Sequence, residues 1–198
     1  QQWHQTLRDT YRPFIEKKQT SETYGRVLIS EEKQGGKINV APSLSPNGDK
    51  LIFLSERDLF SIEMFLADVE TGEVEDKIIE TATDPHFQSL QFIRSSGSWD
   101  QGGRRFVFAG VHEGNPVLTI FDVEHRKVQR EIEFPELGEI YNPTWSPDGR
   151  RIAFSANQGG LTDLFVYGLD DGRLRKLTDD VYADIHPAWS PSGNAIAF

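Results

Sequence analysis

Asn142–Ser155 reads NPTWSPDGRRIAFS, and His186–Phe198 reads HPAWSPSGNAIAF. A motif repeated along a chain constrains the fold strongly, because each copy must take up the same local structure. Ser146-Pro147-Asp148-Gly149 suits a tight turn: proline presets φ at the first central position, aspartate tolerates the second, and glycine accepts a positive φ. The run Ile152-Ala153-Phe154 that follows reads as the second strand of a hairpin. Two looser copies exist, Leu44-Ser45-Pro46-Asn47-Gly48 before Leu51-Ile52-Phe53 and Trp99-Asp100-Gln101-Gly102-Gly103 before Phe106-Val107-Phe108. Their closing phenylalanines fall at 53, 108, 154 and 198, in steps of 55, 46 and 44. The residue before the turn keeps the same beat: Leu44, Trp99, Trp145 and Trp189.

Each unit has a second half. Glu63-Met64-Phe65-Leu66-Ala67-Asp68 aligns with Asp163-Leu164-Phe165-Val166-Tyr167-Gly168, and the middle unit supplies Val117-Leu118-Thr119-Ile120-Phe121-Asp122. These read as third strands, each followed by a polar turn and a fourth strand such as Arg175-Lys176-Leu177-Thr178. Four short strands every forty-odd residues predict an all-β fold, a β-propeller of four-stranded antiparallel blades. A lone blade exposes both faces, so blades must stack to bury them.

The S-P-D-G turn flanked by P-x-W and I-A-F, then D-L-F-V-Y and a D-x-x-x-G turn, resembles the TolB-like (WD40-like, PD40) propeller repeat. The resemblance covers about residues 38–198; the Trp-Asp and Gly-His signatures of true WD repeats are absent. The units divide as 38–83 (first blade), 84–136 (a degenerate second blade), 137–180 (third) and 181–198 (a partial fourth). In the second, Asp100-Gln101-Gly102-Gly103 replaces the proline turn, and its innermost strand lies either near 88–93 or near 97–99. About three and a half blades are therefore expected, open or incomplete, since propellers close with about 4–8. The chain reads as a piece of a longer protein.

Ahead of the repeats, residues 1–24 read as helix and linker. Trp3, Leu7, Tyr11 and Phe14 fall at helical spacing, so an amphipathic helix is expected to about Tyr11, broken or kinked by Pro13. Residues 25–37 read as a closing outer strand, Arg26–Ser30, followed by a loop. The W-x-x-x-L-x-x-x-Y-x-P pattern of Trp3–Pro13 is similar to the junction that follows a zinc-metallopeptidase-like domain in some bacterial proteins with this repeat. No H-E-x-x-H occurs, so no peptidase chemistry carries over.

The net charge of −10 argues against nucleic acid or an anionic membrane as partner, because phosphate binding needs a basic surface. No apolar run approaches the roughly 20 residues of a membrane span. With no cysteine, disulfides, thiolate metal sites and a cysteine nucleophile are excluded. His4, His86, His112, His125 and His186 show no metal-ligand spacing, and no G-x-S-x-G marks a nucleophilic serine. No catalytic residue, metal or cofactor is expected. One TolB-like group, the oligogalacturonate lyases, holds a metal with channel histidines; His86 and His186 are the histidines near innermost-strand starts. Tyr141, Asn142, Asp184 and His186 are polar residues at those starts, where a propeller has its channel mouth. They are candidates for binding a partner, or else they cap strand ends.

The chain is thus expected to be a non-catalytic platform for a protein or peptide partner within a larger exported bacterial protein. The periplasmic or extracellular setting is implied by the TolB-like resemblance. The alternative is an accessory propeller that controls access to a peptidase or hydrolase domain outside this chain. Self-association through open blade edges is a further expectation.

Overall fold

The structure, a computed structural model, describes residues 2–16, 18, 21–57, 62–79, 89–90 and 97–198. Helix α1 (Gln2–Ile15) is followed by two single-turn helices, α2 (Ser21–Tyr24) and α3 (Glu31–Gln34). The first sheet is β1 (Asn39–Leu44), β2 (Lys50–Ser55), β3 (Glu63–Asp68) and β4 (Val74–Ile79), hydrogen-bonded in that order. The second holds β5 (Ser89–Leu90), β6 (Ser98–Trp99), β7 (Arg105–His112), β8 (Asn115–Asp122) and β9 (Lys127–Glu133). The third is β10 (Ile140–Trp145), β11 (Arg151–Gln158), β12 (Leu161–Gly168) and β13 (Leu174–Lys176). A two-stranded hairpin, β14 (Ala188–Trp189) and β15 (Ile196–Ala197), ends the described chain. All pairing is antiparallel, as a meander with hairpin connections dictates.

The repeat works through its turn. Ser146 N donates to Arg151 O at 2.9 Å and Gly149 N to Ser146 O at 2.8 Å, with Gly149 at φ 68°. Ser146 Oγ also accepts from Arg151 N at 2.9 Å, so the serine closes the turn twice. Ser45 and Ser190 do the same work in their copies. The second unit keeps this geometry with other residues. Asp100 stands in for the serine, accepting from Arg104 N and Arg105 N at 2.9 and 3.0 Å, and Gly103 takes the positive φ. Its innermost strand is both alternatives at once: β5 pairs with Val111 and Gly110, and β6 with Val107 and Phe106, all on β7.

Stacking buries the sheet faces. Leu54, Met64 and Leu66 of the first sheet meet Trp99, Phe106 and Phe121 of the second in one apolar cluster. Val107, Leu118 and Ile120 of the second meet Trp145, Phe154 and Tyr167 of the third. A fully buried side chain of this size contributes about 1.5–3 kcal/mol, which an isolated sheet forgoes on both faces.

Two expectations for the N-terminal region need correction. Helix α1 runs through Pro13 to Ile15, because proline in the last turn forfeits one hydrogen bond while Glu16 N still donates to Arg12 O at 2.9 Å. Its apolar stripe is left in solvent, with Trp3 at 68% and Phe14 at 69% exposure. Arg26–Ser30 forms no strand, since no described strand offers it a ladder. It lies across the first sheet as a strap: Ile29 packs on Phe53, Phe65 and Ala67, and Arg26 donates to Val69 O. Gln34 Nε2 ties Leu28 O (3.1 Å) to Gly72 O (2.9 Å).

Candidate functional site

Three inner strands or their approaches carry the same local device. Ala41, Asn142 and His186, each followed by proline, sit at φ 51°, 49° and 58°. Between Tyr141↔Ser155 and Thr144↔Ala153 the register shifts, so that Asn142 and Pro143 oppose Phe154 alone; Ala41 and Pro42 repeat this bulge opposite Phe53. A left-handed conformation costs a non-glycine residue roughly 1–2 kcal/mol, least for asparagine. The conformation recurs three times, on three different side chains, and at Ala41 and Asn142 it accompanies a bulge against the paired strand.

Of the four residues singled out from sequence, Asn142 and His186 thus share an equivalent position on neighbouring units, half-buried and exposed respectively. Tyr141 is turned inward, 8% exposed, and its hydroxyl donates to Glu139 Oε2. Asp184 is 7% exposed, its N–H donates to Thr162 O at 2.9 Å, and its buried Oδ2 accepts no hydrogen bond among the described residues. At the equivalent place in the first unit, Asn39 Oδ1 accepts from Ser55 Oγ at 2.7 Å.

Ala41 was missed as a member of this set, although Ala-Pro-Ser-Leu at 41–44 aligns with Asn-Pro-Thr-Trp and His-Pro-Ala-Trp. Missed too were two buried carboxylates at matching third-strand positions. Glu63 pairs with Lys77 at 2.8 Å, and Asp163 with Lys176 at 2.9 Å. Asp179 and Asp163 together hold the Lys176 ammonium above its ordinary pKa, the Asp179 hydrogen bond being the larger cause. Each carboxylate is neutralised by its lysine, which makes the pair a seam within the sheet and leaves no free base.

Two of the other histidines are engaged at the surface: His112 Nδ1 faces Glu133 Oε1 at 3.3 Å and His125 Nδ1 faces Asp122 Oδ2 at 2.9 Å. His86 lies outside the described residues. Among the described residues no group of three or more His, Asp or Glu could hold a metal ion, and no helix is long and apolar enough to cross a membrane.

A family model described as the TolB beta propeller domain (PD40) matches residues 87–198, more than half of the chain. The chain belongs to that family. The Tol-Pal system protein TolB of Anaeromyxobacter dehalogenans (strain 2CP-1) is 38% identical to this PD40 chain over 104 residues, which is 51% of this chain and 23% of that protein. The uncharacterized peptidase YuxL of Bacillus subtilis is 45% identical over 56 residues, 28% of this chain and 8% of the peptidase. The solved structure of a putative TolB from Agrobacterium tumefaciens matches with a TM-score of 0.65 at 20% identity, covering 81% of this chain and 54% of that one. At that identity the likeness concerns the fold alone. The PD40 chain spans about a quarter of the length of the TolB relative.

Proposed function

We propose that this PD40 chain is a non-catalytic propeller segment serving as a binding platform for a protein or peptide, within a larger exported bacterial protein working in the periplasm or outside the cell. The observation that carries this reading is the repeated left-handed position before a proline. Its scaffold of proline, large apolar residue (Leu44, Trp145, Trp189), turn and glycine recurs, while the residue presented in the left-handed position changes from Ala41 to Asn142 to His186. A constant backbone offering variable side chains is what a recognition surface requires, whereas a purely structural bulge would favour asparagine or glycine each time. The TolB relative is named for the Tol-Pal system, which supports a protein partner.

The test is selection of short random peptides on the purified chain, followed by rebinding to Asn142→Arg and His186→Glu variants of unchanged circular dichroism. Peptides that bind the parent and lose both variants support the platform. No selectable peptide, or peptides indifferent to both substitutions, overturns it.

The match to a peptidase favours one second reading, an accessory propeller that controls access to a peptidase or hydrolase domain outside this chain. A G-x-S-x-G or H-E-x-x-H segment in the parent gene, with faster cleavage of large substrates once the propeller is removed, would support it. Self-association through the outer edges of the sheets is read separately, from the mass by light scattering at rising concentration.

A further inference from the structure

The meander fixes which loops share an end of the molecule. In the second and third units the turn from first to second strand and the turn from third to fourth strand lie at one end. The loop from second to third strand, and the connector to the next unit, lie at the other. The inner strands start at this second end, so it carries Asn142 and His186.

From the second unit onward, charge divides between these ends. The loops and connectors at the inner-strand-start end are 113–114, 134–139, 159–160 and 177–187. They contain Glu113, Glu136, Glu139, Asp179, Asp180 and Asp184, and no lysine or arginine. The turns at the opposite end, 100–104, 123–126, 146–150, 169–173 and 190–195, contain five carboxylates and four arginines. Those arginines are drawn into local pairs such as Arg104 with Glu124 (3.2 Å) and Arg150 with Asp170 (3.9 Å). From the second unit onward the negative charge is therefore not a uniform solubilising coat; it is concentrated at one end.

A second, independent feature lies within that end. Asp184 is 7% exposed and its Oδ2 is buried without a hydrogen-bond donor among the described residues. A buried carboxylate oxygen left unpaired is costly, and a cationic or N–H donor would relieve it. Lys176, the lysine nearest in sequence, is already held by Asp163 and Asp179.

We infer that the end bearing Asn142 and His186 docks a cationic peptide segment, one rich in lysine or arginine. This rests on the platform reading above and names the partner's chemistry. Carboxylates at the rim would speed encounter and select against acidic partners, and the bulge residues would read the side chains that arrive.

The experiment measures fluorescence anisotropy with three labelled synthetic peptides of equal length: one lysine- and arginine-rich, one neutral and one acidic. The intact chain is compared with two charge variants. Glu113→Gln/Glu136→Gln/Asp180→Asn neutralises the proposed end, and Asp170→Asn/Asp171→Asn neutralises the other. The first set touches no ion pair that stabilises the sheets, and circular dichroism checks both variants. Binding of the basic peptide alone is expected, weakened about tenfold by the first set and little by the second. It should also be largely lost near 1 M salt, where the screening length is about 3 Å. Equal loss in both variants would mean bulk charge, and overturns the inference. Equal affinity for the neutral peptide, or binding that ignores salt, overturns it as well. Peptides selected at random that depend on positions 142 and 186 yet carry no excess of positive charge would sink the cationic class while leaving the platform standing.

Discussion

At the scale of the residue, the tryptophan before the turn in the second, third and fourth units shows how one position serves two sheets. Trp99 Nε1 donates to Ser43 O at 3.0 Å and Trp189 Nε1 to Thr144 O at 3.3 Å, each on the preceding unit. Trp145 is 6% exposed, its indole N–H meets no acceptor among the described residues, and the Arg105 guanidinium lies 4.3 Å from its ring centre. Trp145→Ala should therefore cost about 3–5 kcal/mol, read from the urea midpoint. Trp145→Phe keeps an aromatic face under Arg105 and removes the unpaired N–H, so about 1–2 kcal/mol is expected. An unchanged midpoint for the alanine variant would mean that the ring does not fill this seam. Asp148 adds a pH term. Hydrogen bonds from Ser146 Oγ, then from Arg150 N, hold its carboxyl below its ordinary pKa of 3.8. A depressed folded-state pKa contributes stability that is present above 3.8 and lost as pH falls through the folded value. Asp148→Asn should flatten the acid limb of a stability-versus-pH curve, with little change at neutral pH beyond the lost hydrogen bonds.

At the scale of the element, the seams between sheets are built to one plan with one exception. Arg105 covers Trp145 and donates to Gly149 O (3.4 Å), and Arg151 covers Trp189 at 4.7 Å and donates to Gly193 O (3.0 Å). The equivalent residue in the first unit is Lys50, which turns to Glu75 and Asp68 of its own sheet. The outer edge of that first seam is held by Arg126 near Asp76 (3.6 Å) and Glu75 (4.0 Å). Arg105→Ala should cost about 1–2 kcal/mol through lost stacking, hydrogen bonding and the part-buried ion pair with Asp100 (2.8 Å), and most of that cost should survive high salt. Arg126→Ala should cost under about 1 kcal/mol, and that cost should vanish at high salt. Chemical denaturation at two ionic strengths separates the two. Glu75, through its hydrogen bond, raises the Lys50 pKa above 10.5. That contribution is present below 10.5 and lost as pH rises through the folded value, so only strong alkali removes it.

For the whole molecule, the strap over the first sheet and the segregated charge are the features that no single unit contains. Blades two and three present their leading faces to a preceding blade; the first presents Phe53 and Phe65 to Ile29 of the strap. A Cβ on Gly72, at φ 72°, would stand 2.7 Å from Leu28 O, so Gly72→Ala must push the strap away or distort the turn. Faster limited proteolysis within 25–37, with cleavage elsewhere unchanged, is the expected result. A cleavage pattern identical to the parent would show that the strap does not depend on this contact.

The sequence by itself determined the turn, the beat and the four-strand unit, because each rests on local chemistry: proline and glycine at fixed offsets, and alternation along short strands. It also singled out Asn142 and His186, since the proline that follows marks the start of an inner strand. Their left-handed backbone was not legible, because at Asn142 it accompanies a register shift against the neighbouring strand and is not dictated by the residue type. Ala41 belongs with them for the same reason, although alanine gives no chemical hint. The Asp100 turn looked degenerate yet closes like the others, since a carboxylate can accept the same backbone donors as a serine hydroxyl. Arg26–Ser30 has the composition of a strand and is none, for a strand exists only where another offers it hydrogen bonds. Local preferences are carried by residues in sequence; pairing partners, burial and the end of the molecule on which a charge falls are decided when distant segments meet, and only the tertiary structure holds them.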